Sequence, residues 1–136
     1  MSYEAALEAA GATVHAFGQF GSYQGEWFAL VTYKGGRGWV NGWYGSCPGC
    51  DAFEAEFGYG DGDECEEHRY RNSQPECVGC AAAKDSYQKK LADFGRTYLD
   101  GLLTQSAAEE AAARDIEWDF DAKAMLDFVK SRAEAR

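Results

Sequence analysis

The sequence predicts an α+β fold, in which a small antiparallel β-meander (about residues 12–45) is followed by a cysteine knuckle and a helical C-terminal half. Three observations predict it. Apolar and aromatic residues alternate in the first third, two Cys-x-x-Cys pairs occupy the middle, and apolar residues recur at helical spacing in the last third. With 136 residues and 46% hydrophobic content, the chain can bury the core of one domain.

We divide this single domain into three segments: an N-terminal helix with the meander (1–45), a cysteine-rich segment (46–80) and a helical segment (81–136). The first helix is expected between a Ser2 cap and a Gly11 stop, with its apolar side chains at helical spacing. Those side chains are Tyr3, Leu7 and Ala10.

Three strands are predicted next, because residue types alternate with period two. The sequence "KGGRG" supplies a tight turn between the second and third strands, with Gly35 and Gly36 expected at positive φ. The first strand contains Val14, Ala16 and Phe20, the second runs over 27–33, and the third over 39–44.

The stretch "GEWFALVTYKGGRGWVNGWY", residues 25–44, resembles the later half of bacterial SH3-like domains. In those domains a Trp-bearing strand, a glycine turn and "GWV" recur. The resemblance implies a β-hairpin at this position and covers about twenty residues.

Helical signals follow the knuckle. Asp51 with Glu54 forms a capping box for a two-turn helix that carries Phe53 and Phe57 on one face and ends at Gly58. Later helices are marked by an apolar stripe (Tyr87, Leu91, Phe94, Tyr98), by Ser106 with Glu109, and by Asp121 before Met125, Phe128 and Val129.

The cysteines form two chelating pairs of the kind that binds zinc. Cys47 and Cys50 flank a Pro-Gly bend that turns both sulfurs toward one point, and Cys77 and Cys80 open a helix, whose partial positive charge stabilises thiolates. Two such pairs supply the four ligands of a tetrahedral site. We expect one structural zinc per chain, bound by these four cysteines.

A third pair, Cys65 and His68 in "CEEH", also has ligand spacing and can replace two or fewer of these ligands. A knuckle combined with a pair on the first turn of a helix resembles treble-clef and zinc-ribbon sites. The resemblance concerns the ligands only, and it implies a four-cysteine zinc site with an insertion between the pairs. Dithiol redox chemistry is the less favoured interpretation, because Pro48 follows the first cysteine instead of preceding the second.

The net charge of −10 is concentrated on the cysteine-rich segment. Residues 46–80 contain nine acids and two bases, a net charge of −7, so this segment should attract basic surfaces and repel phosphate backbones. We therefore expect a basic protein surface as the partner and no direct binding of nucleic acid. The acids expected to contact the partner are Asp61, Asp63, Glu64, Glu66 and Glu67.

No full catalytic centre is recognisable in the sequence. The deaminase signature is missing, a zinc ion bound by four cysteines has no open position for water, and His15 is expected to be a structural residue of a strand. In "DIEWDFD", residues 115–121, acids alternate with apolar residues, which predicts either a docked segment or an acidic ribbon. An enzyme that uses Cys65 and His68, or an open zinc site, stays the alternative, as does a scaffold protein.

Small size, acidity, aromatic content and a single zinc site make the chain similar to uncharacterised bacteriophage proteins, including the anti-defence proteins that block CRISPR systems. This resemblance implies an inhibitor of a basic, nucleic-acid-handling host protein. No apolar run is long enough for a membrane span, and the first residues lack the basic and apolar regions of a signal peptide. We therefore expect a cytoplasmic protein without membrane contact, which also fits reduced cysteines.

Overall fold

The computed structural model shows a three-stranded antiparallel sheet with helices on both faces, so the α+β prediction is confirmed. The strands are β1 (Thr13–Gly21), β2 (Gly25–Tyr33) and β3 (Gly36–Tyr44), paired in the order β1-β2-β3 as a meander. The structure describes residues 3–21, 24–45, 51–57, 77–114 and 121–132.

Five helices lie in these described ranges. They are α1 (Tyr3–Ala9), α2 (Ala52–Phe57), α3 (Val78–Tyr98), α4 (Gln105–Ala113) and α5 (Ala122–Arg132). Each was predicted from its periodicity, and the boundaries differ from the predicted ones by a few residues. Cys47, Cys50, Cys65, His68, the five partner-binding acids and residues 115–120 lie outside the described residues.

The turn between β2 and β3 contains two residues, because Tyr33 pairs with Gly36. Lys34 has φ of 51° and Gly35 has φ of 80°. Two-residue hairpin turns with positive φ at both positions match the right-handed twist of the strands. The prediction of positive φ is therefore right for Gly35 and wrong for Gly36, which already belongs to β3, while Lys34 takes the other turn position.

A β-bulge divides the apolar residues of β1 between the two faces of the sheet. The pairing of β1 with β2 shifts between Val14 and Ala16, so His15 is the extra residue. Val14 packs with the core on one side, whereas Ala16 and Phe20 pack with the core on the other. His15 is exposed, and its Nε2 lies 2.7 Å from Thr32 Oγ1.

The front face of the sheet, defined by Trp27, Ala29 and Val31 of β2, is covered by α1 and α3. Trp27 is fully buried, and its ring centroid lies 5.1 Å from that of Tyr3 and 5.1 Å from that of Tyr98. Aromatic pairs at this separation add stabilisation beyond the area they bury.

Two glycines allow the close packing of the front face. A Cβ on Gly95 would lie 2.0 Å from the carbonyl oxygen of Ala6, so α1 and α3 contact each other backbone to backbone. A Cβ on Gly42 would lie 2.7 Å from the indole of Trp27, so a side chain on β3 at this position would displace that ring. Both positions need glycine for space.

The back face of the sheet, defined by Phe28 and Leu30, is covered by α4 and α5. Buried Glu26 lies on the same face, and its Oε1 accepts a hydrogen bond from Arg114 Nη2 at 3.1 Å, which ties the end of α4 to the sheet. The remaining buried residues of this second core are Trp39, Ala108, Ala112, Ala122, Met125 and Val129.

The start of α4 differs from the prediction by two residues. Thr104 is the capping residue, and its Oγ1 accepts a hydrogen bond from the Ala107 N–H at 3.1 Å, whereas Ser106 already lies within the helix. Leu103 exchanges backbone hydrogen bonds of 2.9 and 2.7 Å with Trp39, which fixes the chain next to β3 just before the helix begins. This anchoring favours the earlier cap. None of the described helices has the length and apolarity needed to cross a bilayer.

We expect the two tryptophans at opposite ends of the burial range to respond differently to truncation. Trp27→Ala should lower the free energy of unfolding by about 3–5 kcal/mol, because it leaves a cavity in the front-face core. Trp43 is 58% exposed and stacks with the Arg114 guanidinium at 5.8 Å, so Trp43→Ala should cost less than about 1 kcal/mol. Urea unfolding of both variants checks this, and equal losses would contradict the described packing.

Candidate metal centre

The second cysteine pair lies at the start of α3, as predicted. Cys77 precedes the helix in an extended conformation (φ −79°, ψ 123°), and its carbonyl oxygen accepts the N–H of Ala81 at 3.0 Å. Cys80 lies in the first turn. The helix therefore brings the two thiols to one end of α3, within the partial positive charge of its unsatisfied N–H groups.

Burial singles out Cys80 among its neighbours. Only 1% of its surface is exposed, whereas Val78, two residues earlier, is 84% exposed. Among residues 78–90, all of which are described, Cys80 is the one buried residue; the next is Leu91. The first three turns of α3 therefore lack an ordinary apolar face and depend on whatever surrounds this thiol.

The two ends of the first knuckle are held together by a carboxylate. The N–H of Gly45 donates to Asp51 Oδ1 at 2.9 Å, which joins the residues on either side of 46–50. Cys47 and Cys50 belong to that loop and lie outside the described residues. A five-residue loop with joined ends suits two cysteines that chelate one ion, since little chain entropy remains to be lost on binding.

Asp51 is 5% exposed, and a second donor reaches its buried carboxylate. The hydroxyl of Tyr3 donates to Oδ1 at 2.7 Å and accepts the N–H of Phe53 at 3.3 Å. A buried carboxylate is tolerated when hydrogen bonds replace its water. The predicted capping box is thus modified: Asp51 does precede α2, but these hydrogen bonds tie it to α1 and to Gly45.

Burial and this carboxylate perturb two tyrosines. Loss of hydration raises the pKa of Tyr3 well above its usual value of 10.0, and the hydrogen bond and negative charge of Asp51 raise it further. Burial also raises the pKa of Tyr98, with a smaller contribution from the charge of Asp51. Both phenols therefore remain neutral at pH values where an exposed tyrosine ionises.

The distance along α3 limits how the two cysteine pairs can meet. Phe53 of α2 packs on Phe94 with ring centroids 5.4 Å apart. Phe94 lies fourteen residues beyond Cys80, or about 21 Å along the helix axis at the usual rise. A zinc ion shared by both pairs therefore requires residues 46–50 to extend from α2 toward the start of α3.

Among the described residues, no group of three or more His, Cys, Asp or Glu side chains could hold a metal ion. Of the predicted ligands only Cys77 and Cys80 are described, so the structure brings together one pair and leaves the complete ligand set as a prediction. The described chain also shows His15 beside Thr32. This arrangement agrees with its expected structural role.

Sequence reasoning missed the part that Asp51 plays. Its position after "CPGC" and before "AFEAEF" indicated a helix cap, and its burial beneath Tyr3 depends on how α1 crosses α2. The ion pair between Glu26 and Arg114, which are 88 residues apart, was missed for the same reason. An acid between Gly25 and Trp27 in an otherwise apolar strand was the available signal for the second pair.

Searches of protein-family models, curated proteins and solved structures give no match to this chain. The fold and the candidate metal centre therefore stand on their own geometry.

The raised pKa of Tyr3 makes stability fall at high pH. In the unfolded chain the phenol loses its proton near pH 10, whereas in the folded protein it keeps the proton to higher pH. This contribution is fully present below pH 10 and is lost as pH rises above that value. The free energy of unfolding should therefore decline between about pH 10 and 12.

Tyr3→Phe removes the titrating group and should reduce that decline, with lower stability at pH 7. The loss at neutral pH should be about 1–3 kcal/mol, because Asp51 and the Phe53 N–H each lose a partner. Denaturant unfolding at pH 8 and pH 11 measures both effects, and Tyr33→Phe, at a half-buried position of β2, is the matched tyrosine control. An identical pH dependence in wild type and Tyr3→Phe would contradict the assignment.

Proposed function

We propose that this protein is a zinc-stabilised acidic protein-binding module that works in the cytoplasm. The observation that carries the proposal is the buried Cys80 at the start of an otherwise exposed helical stretch. Metal coordination explains why a thiol is enclosed where no apolar side chain is, and Cys77 next to it completes a chelating pair. The joined ends of the 46–50 loop support a second pair from Cys47 and Cys50.

The proposed ligands of the single structural zinc are Cys47, Cys50, Cys77 and Cys80. Cys65 and His68 are the alternative ligands, and a mixed set with nitrogen would leave the enzyme alternative open. X-ray absorption at the zinc edge separates these cases: four sulfur ligands favour the binding module, and mixed nitrogen and sulfur with a water favours catalysis.

Removing a zinc ligand should unfold the start of α3. Cys80→Ser should abolish stoichiometric zinc and cost several kcal/mol, since a zinc-binding free energy of about 10 kcal/mol or more becomes folding energy. The loss should appear as reduced helical circular dichroism, because residues 78–90 have no other buried side chain. Elemental analysis and urea unfolding measure the two effects.

Cys65→Ser is the matched control for this substitution. With four ligands from the two Cys-x-x-Cys pairs, this variant should retain one zinc per chain and wild-type stability. Zinc loss in Cys65→Ser would move the site to the alternative ligands. A purified wild-type protein without zinc, with all five thiols rapidly titratable, would contradict the metal proposal altogether.

The cysteine-rich segment is the proposed partner-binding surface, because it carries a net charge of −7 over residues 46–80. Four thiolates around one Zn²⁺ would leave the site itself negative and add to that field. The partner fitted by this charge is a basic protein surface. A phage-encoded inhibitor of a basic, nucleic-acid-handling host protein has this requirement, and affinity capture from phage-infected cells would identify the partner.

Charge reversal in the acidic loop tests electrostatic attraction. Asp61→Lys, Asp63→Lys and Glu66→Lys together should slow association with the captured partner by about an order of magnitude or more. Zinc content should be unchanged. The wild-type association rate should also fall steeply as salt rises, and surface plasmon resonance over a salt series measures both.

A second triple variant provides a control with the same net charge. Glu8, Asp85 and Glu110 are exposed on three different helices, so their replacement by Lys changes the total charge equally without touching the acidic loop. This control should retain most of the wild-type association rate. Equal slowing by both triple variants would show that net charge matters and the loop does not.

A further inference from the structure

A cavity with two arginines lies between β3 and the beginning of α4. Its volume is about 220 Å³, smaller than the roughly 300–1,000 Å³ of pockets for drug-sized ligands. Leu30, Trp39 and Leu103 contribute its apolar wall, while Arg37 and Arg132 supply its charge. A cavity of this size suits one small polar group with few further atoms.

The described residues that line this cavity include no carboxylate, which separates it from two neighbouring cavities. The cavity beside Lys34 and Arg96 also contains Asp100. The cavity beside Lys130 contains Glu109 and Glu110. In a chain with a net charge of −10, a pocket whose described charged lining is entirely positive is therefore distinctive.

Hydrogen bonds hold the polar part of the wall in a fixed arrangement. Gln105 accepts the indole N–H of Trp39 at 2.8 Å and donates to Glu109 Oε2 and to the carbonyl oxygen of Val129, both at 3.1 Å. These bonds fix the back of the cavity. Thr104 accepts from Ala107 and keeps its own hydroxyl hydrogen as a further donor.

Each arginine is attached to a rigid part of the fold. Arg132 lies at the end of α5, and its guanidinium is 5.4 Å from the ring centroid of Phe128. That ring packs on Trp39 at 5.9 Å, so the cation is connected to the back-face core. Arg37 lies on β3 in register with Thr32 of β2. Two rigid elements thus bring their guanidinium groups to one cavity.

We propose that this cavity binds the phosphate group of a small phosphate monoester. Such a group is a dianion with three terminal oxygens, and two guanidinium groups can donate several charge-assisted hydrogen bonds to it. A carboxylate has two oxygens and one charge, and one arginine fork saturates it. The general repulsion of anions by this acidic chain suppresses non-specific phosphate binding, so the site requires both arginines.

The phosphate site is separate from the proposed zinc function. Arg37 is near the start of β3, and Gly45, where the cysteine-rich segment begins, is eight residues further on, or about 26 Å along an extended strand. Loss of zinc and loss of phosphate binding can therefore be measured independently.

The test is isothermal titration calorimetry on the full zinc-loaded chain at constant ionic strength. The probes are inorganic phosphate, phosphoserine and adenosine monophosphate, with acetate as the comparison anion. We expect saturable binding of at least one phosphate probe at one site per chain and no saturable binding of acetate. The probe that binds most tightly identifies the source of the phosphate group as a free anion, a phosphorylated peptide or a nucleotide.

Variants locate the binding site. Arg37→Gln and Arg132→Gln should each weaken binding by about tenfold or more, since each removes charge-assisted hydrogen bonds to the anion. Lys130→Gln removes the same charge from the same end of α5 without touching the cavity, and should change affinity less than about twofold. All three side chains belong to exposed residues, and circular dichroism should confirm unchanged folding.

Three results would overturn the proposal. The first is no saturable binding of any phosphate probe by the folded wild-type chain. The second is equal weakening by Lys130→Gln and Arg132→Gln, which would indicate a diffuse field instead of a site. The third is acetate binding as tight as phosphate binding, which would contradict recognition of the dianion.

Discussion

The fold depends on one constraint: β2 is buried on both faces of the sheet. Every residue from Glu26 to Val31 is buried, so neither face of this strand can be left to water. Helices must cover both sides, and they come from different parts of the sequence. Helices α1 and α3 cover the front face, and α4 and α5 cover the back face. The two cores share the strand and alternate along it, so a substitution in β2 affects one set of helices at a time.

On the front face, Tyr3 connects this sheet to the cysteine-rich segment. Its ring contacts Trp27, Phe53, Phe94 and Tyr98 with centroid distances between 5.1 and 6.0 Å. Its hydroxyl reaches Asp51, which also holds Gly45. The same residue thus fills the apolar core and satisfies the buried carboxylate that joins the ends of the 46–50 loop. Because the loop ends are fixed by the fold itself, the thiols of that loop are restrained before any metal binds.

Periodicity was sufficient to predict the meander and the helices, because alternation in β2 and the stripe ending at Tyr98 both reflect local burial. It was insufficient where a tertiary contact decided the outcome. Thr104 caps α4 because Leu103 is anchored to Trp39, and Asp51 bonds to Tyr3 because α1 crosses α2 there. The apolar character of both alternating sets in β2 did signal coverage on both faces. Of the candidate metal centre, the placement of Cys77 and Cys80 at a helix start was predictable from spacing, whereas the burial of Cys80 was not.

The distribution of burial along α3 determines what a zinc ion would contribute to this protein. Beyond Leu91 the helix packs against α1 through Gly95 and needs no metal, since the front-face core already supplies apolar contacts. Before Leu91 the helix has Cys80 as its one buried residue among residues 78–90. A helical stretch without a packed face is marginally stable in water. Zinc coordination at Cys77 and Cys80 would therefore stabilise the first turns of α3 and the acidic segment that precedes them, while the sheet would remain folded without it. On this physical ground, metal loss should act as local unfolding that removes the partner-binding surface and leaves both cores intact.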